Sequence, residues 1–313
     1  MRMTILLAAL ITSFPHGVAA QAEKPQRILF IGNSFTFAQG SAVRYFHPAS
    51  VTDLNGSAQG GMPALFKAFA TQSGLSYDVS LETQPGSGLE FHLENRRNLI
   101  AQPWDLVVMH GQSTLDFALP GDPAKLVRTS REMAELLLAS NANARFYLLS
   151  TWARADQTYP PAGAWAGRTI EQMAHDVRAA YDQAATNTPN VNAVIPVGEA
   201  WNRAMQNGVA DPNPYDDISF GQLNLWTYDH YHASAYGSYL EALVVFGTVT
   251  RLDPRSLGVN ECAGFELGLS GPQVSALQEI AAAQLLNEEL ITASAAAAES
   301  AATESAAAAQ PCH

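Results

Sequence analysis

Short apolar runs alternate with longer amphipathic ones from about residue 25 to residue 290. The runs "RILFIG" (27–32), "YDVSLET" (77–83), "WDLVVMH" (104–110), "ARFYLLST" (144–151) and "VNAVIPV" (191–197) read as strands. Between and after them the apolar spacing predicts helices over 61–73, 89–101, 123–140, 166–187, 233–250 and 272–291. Strands joined by helices form βαβ units, so the expected fold is a three-layer α/β/α sandwich around a parallel sheet of about five strands. About 270 residues suit one such domain with a full core, placed at 21–291. The segment 207–231 has no clear period and is rich in Asn, Asp, Pro and Gly, so it reads as a long surface loop, a common place for function.

The two ends follow other rules. Residues 1–20 combine Arg2, the apolar run "ILLAALI" and small residues before Gln21. That is the pattern of a cleavable signal peptide, too short to span a bilayer, and it predicts a secreted or periplasmic protein without stable membrane insertion. A retained N-terminal anchor is the alternative. Residues 292–313 form an Ala/Ser/Glu tail with no apolar face to pack, expected to lie outside the domain. In an exported protein Cys262 and Cys312 have the option of pairing, with Cys312 at the end of that tail.

The formal net charge is −12 over 313 residues, and one unit more negative without residues 1–20, which hold one arginine and no acid. That balance, with no basic run interleaved with aromatics, speaks against nucleic acid and anionic membrane surfaces as partners.

Candidate chemistry sits where the predicted strands end, the rim at which open parallel sheets bind ligands. Gly32-Asn33-Ser34 follows the first strand, Gly86-Ser87-Gly88 the second and His110-Gly111-Gln112-Ser113 the third, while "TYDHYHAS" closes the long loop. A serine nucleophile needs a base and a group to orient that base; His232 and Asp229, three residues apart, supply both. An oxyanion needs fixed donors, for which the Ser34 backbone N–H, Gly88 and the Gln112 side chain are candidates. Each residue also has a plainer role. Ser34 is well placed to cap a helix, and Gly86 and Gly88 to make turns. Ser87 lies in "GSG", whose glycines are too close for a G-x-S-x-G elbow. His230 and His232 with Asp229, joined by His47 or His92, form an alternative metal set, although no His-Glu-x-x-His or cysteine cluster accompanies them. The five tryptophans read as core or rim aromatics, with Trp226 the nearest to the acid–base segment.

"FIGNSFT" near the start and "YDHYHAS" near the end resemble the SGNH (GDSL-type) hydrolases. In that family a Gly-Asp-Ser motif after the first strand carries the nucleophile, and a late Asp-x-x-His supplies acid and base. The resemblance spans Arg27 to about Pro254, and "HASAYGSYLEALVVFGTVTRLDP" is similar to a branch that pairs a "GNSFT" start with D-x-x-H-x-S-x-x-G-x-Y-L. It implies Ser34 as nucleophile, Asp229 as orienting acid, His232 as base and Gly88 as second oxyanion donor, with no metal or organic cofactor. Two positions depart from the pattern. Asn33 stands where the family has Asp, and "MHGQST" replaces its Gly-x-Asn-Asp. Some carbohydrate esterases of the clan use glutamine there, which favours Gln112 as third donor, with His110 competing. The implied activity is acyl-enzyme hydrolysis of a small-molecule or carbohydrate ester, with a small acyl group such as acetyl. The alternatives are a lipase or lysophospholipase, or a weakly catalytic binding protein on the same fold.

Overall fold

Side chains of the first strand, β1 (Gln26–Gly32), go alternately to two cores. Ile28 and Phe30 enter one, Leu29 and Ile31 the other. A strand apolar on both faces belongs in a parallel sheet covered by helices on each side. The computed structural model, which describes residues 24–292, has that arrangement. After β1 come β2 (Thr52–Asp53), α1 (Gly61–Gln72), β3 (Tyr77–Thr83), α2 (Leu89–Asn95), α3 (Arg97–Ile100) and β4 (Leu106–Met109). Next are α4 (Ala124–Leu138), β5 (Arg145–Ser150), α5 (Ala155–Thr158), α6 (Ile170–Thr186), β6 (Val191–Pro196) and α7 (Val197–Gln206). The chain continues with α8 (Ala235–Thr250), α9 (Cys262–Glu266) and α10 (Gly271–Asn287).

All strand pairs are parallel, in the order β2-β3-β1-β4-β5-β6. β1 is therefore the switch point: the chain first builds outward on its β3 side, then crosses to β4. Loops leaving β1, β3 and β4 open a crevice there, the preferred ligand position of such sheets. Helices α1, α7, α8 and α10 supply the core shared with Ile28 and Phe30, while α2, α4 and much of α6 supply the other.

The sheet has six strands rather than about five. The additional one, β2, is only two residues long at the edge beside β3, too short for any alternation to show. The helix expected over 89–101 is two pieces, because Arg96 leaves helical geometry at φ −125°, ψ 7°. α7 starts directly at the end of β6, over residues for which the sequence pattern predicts no helix. Its buried Val197, Ala200, Trp201, Ala204 and Met205 nonetheless keep a helical period. The 207–231 segment is irregular, tied by single bridges between Ala210 and Leu223 and between Trp226 and Ala233. Residues 1–20, Cys312 and almost all of the tail lie outside the described residues.

α8 ends the long loop sharply. The Ser234 hydroxyl caps it by accepting from Gly237 N (3.3 Å) and donates to Asn224 O (2.7 Å). A Cβ at Gly237 would lie 2.3 Å from Leu225 O and 2.5 Å from the Trp201 ring, so only glycine lets the helix start this close to the loop.

Glu241 of α8 is fully buried, and neither of its carboxylate oxygens has a hydrogen-bond partner among the described residues. Burial holds its carboxyl well above the ordinary value of 4.5, so it folds as a neutral acid. The folded state then keeps a proton that the unfolded chain loses, and this stabilisation, full below the unfolded pKa, is lost as pH rises. Glu241→Gln is expected to raise stability in urea melts at pH 8 relative to wild type, with the gain shrinking towards pH 4. An equal shift at both pH values would rule this out.

Candidate active site

Ser34 leaves β1 in a run of tight turns, not a helix. Gln39 N donates to Ser34 O (2.9 Å) and Ala38 N to Phe35 O (3.0 Å). It is therefore no helix cap, and its side chain is turned to another partner. Ser34 Oγ lies 2.9 Å from His232 Nε2 across 198 residues of sequence, and His232 Nδ1 lies 2.6 Å from Asp229 Oδ2. The three residues read from the two motifs thus form one hydrogen-bonded line, with Ser34 and His232 both over nine-tenths buried.

The acid–base loop is built around Asp229. Thr227 N donates to His232 O (2.7 Å) and His230 N to Thr227 O (3.0 Å), which closes the turn, with His230 at φ +55°. Asp229 Oδ1 accepts from Thr227 Oγ1 (2.7 Å), His232 N (2.9 Å) and Tyr231 N (3.0 Å), leaving Oδ2 for the imidazole. Partial burial pushes this carboxyl up. The hydrogen bonds from the His232 side chain and backbone, Thr227 and Tyr231 outweigh that and bring it down to about 2. Asp229 therefore stays ionised across the working pH range and fixes the proton of His232 on Nδ1, which leaves Nε2 free to accept from Ser34. Thr227 was not singled out from sequence, although a threonine two residues before an aspartate in a turn is a recognisable signal.

Behind this loop stands an aromatic column. Phe35 stacks on Trp152 (4.0 Å between centroids, 8° between planes), and Trp152 stacks on Trp201 (4.9 Å, 6°). Trp152 Nε1 donates to Tyr231 O (3.1 Å) and Trp226 Nε1 to Ala153 O (3.0 Å), so the chain after β5 grips the acid–base loop from beneath. All five tryptophans are buried, Trp226 to 1% exposure, so none is a platform for a sugar. Trp152→Phe is expected to cost about 1–3 kcal/mol of stability in urea melts, because it strands the Tyr231 carbonyl. It should also lower kcat more than it raises KM, since Tyr231 precedes the base. Unchanged kcat and stability would remove the column from the account.

Asn33 ties the rim together. Its Nδ2 donates to Ser87 O (2.9 Å) and Gly111 O (3.3 Å), and its Oδ1 accepts from Phe35 N (3.1 Å). The loops leaving β1, β3 and β4 are thereby pinned to one another. Gln112 adds a second tie, Nε2 to Gly86 O (3.3 Å), while its Oε1 accepts from Ser113 N (2.8 Å). That bond uses one of its two amide hydrogens and leaves the other. Gly88 precedes α2, and neither its N–H nor that of Ser34 donates to another group among the described residues. These are the three donors named from sequence, carried on loops that Asn33 and Gln112 join.

His110, the competing donor, has both ring nitrogens engaged: Nδ1–H donates to Gly111 O (3.0 Å) and Nε2 accepts from Thr36 Oγ1 (2.7 Å). Burial, with a smaller push from His92 and against the Gly111 bond, lowers it to about 4, so it is a neutral structural ring. It packs where a Cβ on Gly32 would come within 2.2 Å, which accounts for glycine before Asn33. The other histidines of the alternative metal set are elsewhere, His47 on Glu266 (2.5 Å) and His92 on the buried Glu82. Among the described residues no group of three or more His, Cys, Asp or Glu is placed to hold a metal ion.

Arg154 gave no signal in the sequence. Its guanidinium lies 3.6 Å over the Tyr231 ring, pairs with Asp156 (2.6 Å) and donates to Ser113 Oγ (3.2 Å), joining the β4 loop to the acid–base loop. Among the described residues, six of the ten exposed large hydrophobics belong to the loops on these two sides: Phe117, Leu119, Tyr215, Ile218, Phe220 and Tyr228.

Neither a protein-family model nor a curated protein matches the sequence. Among solved structures, a DUF4886 family protein from Bacteroides uniformis is similar at TM-score 0.58 and 18% identity, over 86% of this chain and 98% of that one. A putative GDSL-like lipase from Parabacteroides merdae gives TM-score 0.48 at 15% identity, over 72% and 95% of the two chains. A family 3 carbohydrate esterase from Clostridium thermocellum gives 0.46 at 16%, over 75% and 99%. At such identities the likeness is one of fold. The chain has an α/β/α sandwich fold, which it shares with the DUF4886 family protein.

Proposed function

We propose that the protein is an exported serine esterase that hydrolyses carboxylic esters through an acyl-enzyme. The observation that carries this reading is the continuous line from Ser34 Oγ to His232 to Asp229, 2.9 and 2.6 Å long. Export rests on the pattern of residues 1–20. In the first half-reaction Ser34 Oγ attacks the ester carbonyl carbon as His232 Nε2 takes its proton. The oxyanion is received by the N–H groups of Ser34 and Gly88 and by the Gln112 amide; each donor contributes about 3 kcal/mol to the transition state. Collapse of the intermediate breaks the bond to the alkoxy oxygen, which takes the proton from His232 and leaves as the alcohol. Water then attacks the acyl group by the same route in reverse, releasing the acid and restoring Ser34. The proposed steps call on side chains and backbone groups alone and need no metal or organic cofactor.

The preferred substrate is a small acyl group such as acetyl on a carbohydrate. A lipase-type reading has its own support in the six exposed apolar residues of the β4 and α8 loops. A series of p-nitrophenyl esters from acetyl to dodecanoyl separates the two. The esterase reading predicts kcat/KM highest at acetyl or propionyl and falling with length. A maximum at octanoyl or beyond favours the lipase, and no turnover of any ester favours a binding protein.

A further inference from the structure

On the β2–β3 side of Ser34 the rim holds a second feature, a cleft of about 330 Å³. It belongs to the same set of loops. Phe37, three residues after Ser34, lines it, as does Gln84, whose N–H donates to Gly32 O (3.1 Å) and which opens the loop leading to Gly88. Its far wall is the turn after β2. Asp53 organises that turn by accepting from Asn55 N (2.9 Å), Ser57 N (3.0 Å) and Gln59 N (3.2 Å). Asn55 anchors it to β3 by accepting from Thr83 N (2.9 Å) and donating to Glu82 Oε1 (3.0 Å). The wall is thus fixed before any ligand arrives, the condition for tight polar recognition.

What the wall offers is a set of uncommitted neutral polar groups. The side chains of Ser57, Gln59 and Gln84 have no hydrogen-bond partner among the described residues, and Gln59 is only 8% exposed with a fully buried Oε1. A buried amide is normally satisfied; with Oε1 closed off, the Gln59 Nε2, also without a partner among the described residues, is the group that a ligand in the cleft completes. Charge narrows the ligand further. The one charged lining residue, Arg96, stands 3.4 Å from Glu82, a buried carboxylate that also holds Asn55 and His92. Its charge is answered within the protein, so the cleft has no surplus cation for a phosphate or carboxylate. Leu54, Pro85 and Leu99 supply apolar surface between the amides. Alternating hydroxyl-matching groups and apolar patches in a small, electrically balanced cleft suit a neutral polyhydroxylated ring, and the volume suits one or two such rings.

We propose that this cleft is the subsite for a neutral sugar unit of the ester, held by Ser57, Gln59 and Gln84. The proposal deepens the esterase reading, and its kinetic arm rests on that reading while its binding arm does not. The binding arm titrates methyl β-D-glucopyranoside, methyl β-D-xylopyranoside and N-acetylglucosamine into the Ser34→Ala protein and follows saturation-transfer NMR. Binding of at least one is expected, weakened at least tenfold in a Ser57→Ala/Gln59→Ala pair. Gln84→Ala, at a half-exposed position, gives the same direction without opening a buried site. In the kinetic arm kcat/KM falls at least tenfold more on acetylated methyl glycosides than on p-nitrophenyl acetate in the same variants. Absence of binding by all three sugars, binding that the substitutions leave unchanged, or displacement of the sugar by octanoate each overturns the proposal. Sugar binding lost in the variants, with no ester hydrolysed by wild type, keeps the subsite and removes Ser34 as nucleophile.

Discussion

Ser34→Ala is expected to lower kcat for p-nitrophenyl acetate about 10⁴- to 10⁶-fold while leaving the fold intact. The magnitude follows from how a serine, a histidine and an aspartate act as a unit. Removing the nucleophile leaves only what bound donors achieve with water, a residual typically about 10³–10⁴ over the uncatalysed rate. The fold is spared for local reasons. Among the described residues Ser34 Oγ hydrogen-bonds only to His232, its backbone N–H persists in alanine, and the turns that follow are closed by main-chain bonds to Ser34 O and Phe35 O. Thermal unfolding should therefore stay within a few degrees of wild type. A loss below tenfold would mean that the hydrolysis, if any, happens elsewhere.

Asn33→Asp carries the second large effect, about a hundredfold loss in kcat, and sets the geometry here against the family's pattern. SGNH hydrolases carry Asp at this position, so resemblance alone implies tolerance. The structure implies the opposite. Asn33 Nδ2 is a donor to two carbonyls, Ser87 O and Gly111 O, and a carboxylate would set two acceptors against them. Those carbonyls belong to the loops that carry Gly88 and Gln112, so the substitution pushes both proposed oxyanion donors away from Ser34. Displacements near 1 Å at that distance from the chemistry can cost about 10²-fold. The accompanying signature is a fall in kcat with little change in KM, since ground-state binding does not depend on the oxyanion donors. Full activity in Asn33→Asp would show that the loops keep their places without this tie.

The sequence and the structure agree best where one residue answers to a short-range rule. Ile28 to Ile31 alternate between two cores, and that pattern alone implies a parallel sheet with helices on both sides. Ser34, Asp229 and His232 were readable because two motifs fix their chain order, and the sheet's topology then brings their ends to one rim. Elements without a local signature stayed hidden. β2 is two residues at an edge, and the break at Arg96 has neither glycine nor proline to announce it. Asn33 looked like a weakened copy of an aspartate, whereas its donors tie three loops that lie far apart in the chain. On sequence Gln112 is favoured as third donor and His110 competes with it. What separates them is a tertiary fact: Thr36 and Gly111 engage both nitrogens of the His110 ring. Arg154 and the Phe35–Trp152 stack belong to the same kind, contacts between segments that no period connects.

If Ser34 is the group that becomes acylated, covalent labelling finds it. The protein is treated with a fluorophosphonate, digested and mapped by mass spectrometry. One phosphonyl group per chain is expected, on the peptide carrying Gly32-Asn33-Ser34, and none in Ser34→Ala or after prior unfolding. Labelling of another serine such as Ser87 or Ser113, or esterase activity that survives the reagent with Ser34 unmodified, would contradict it.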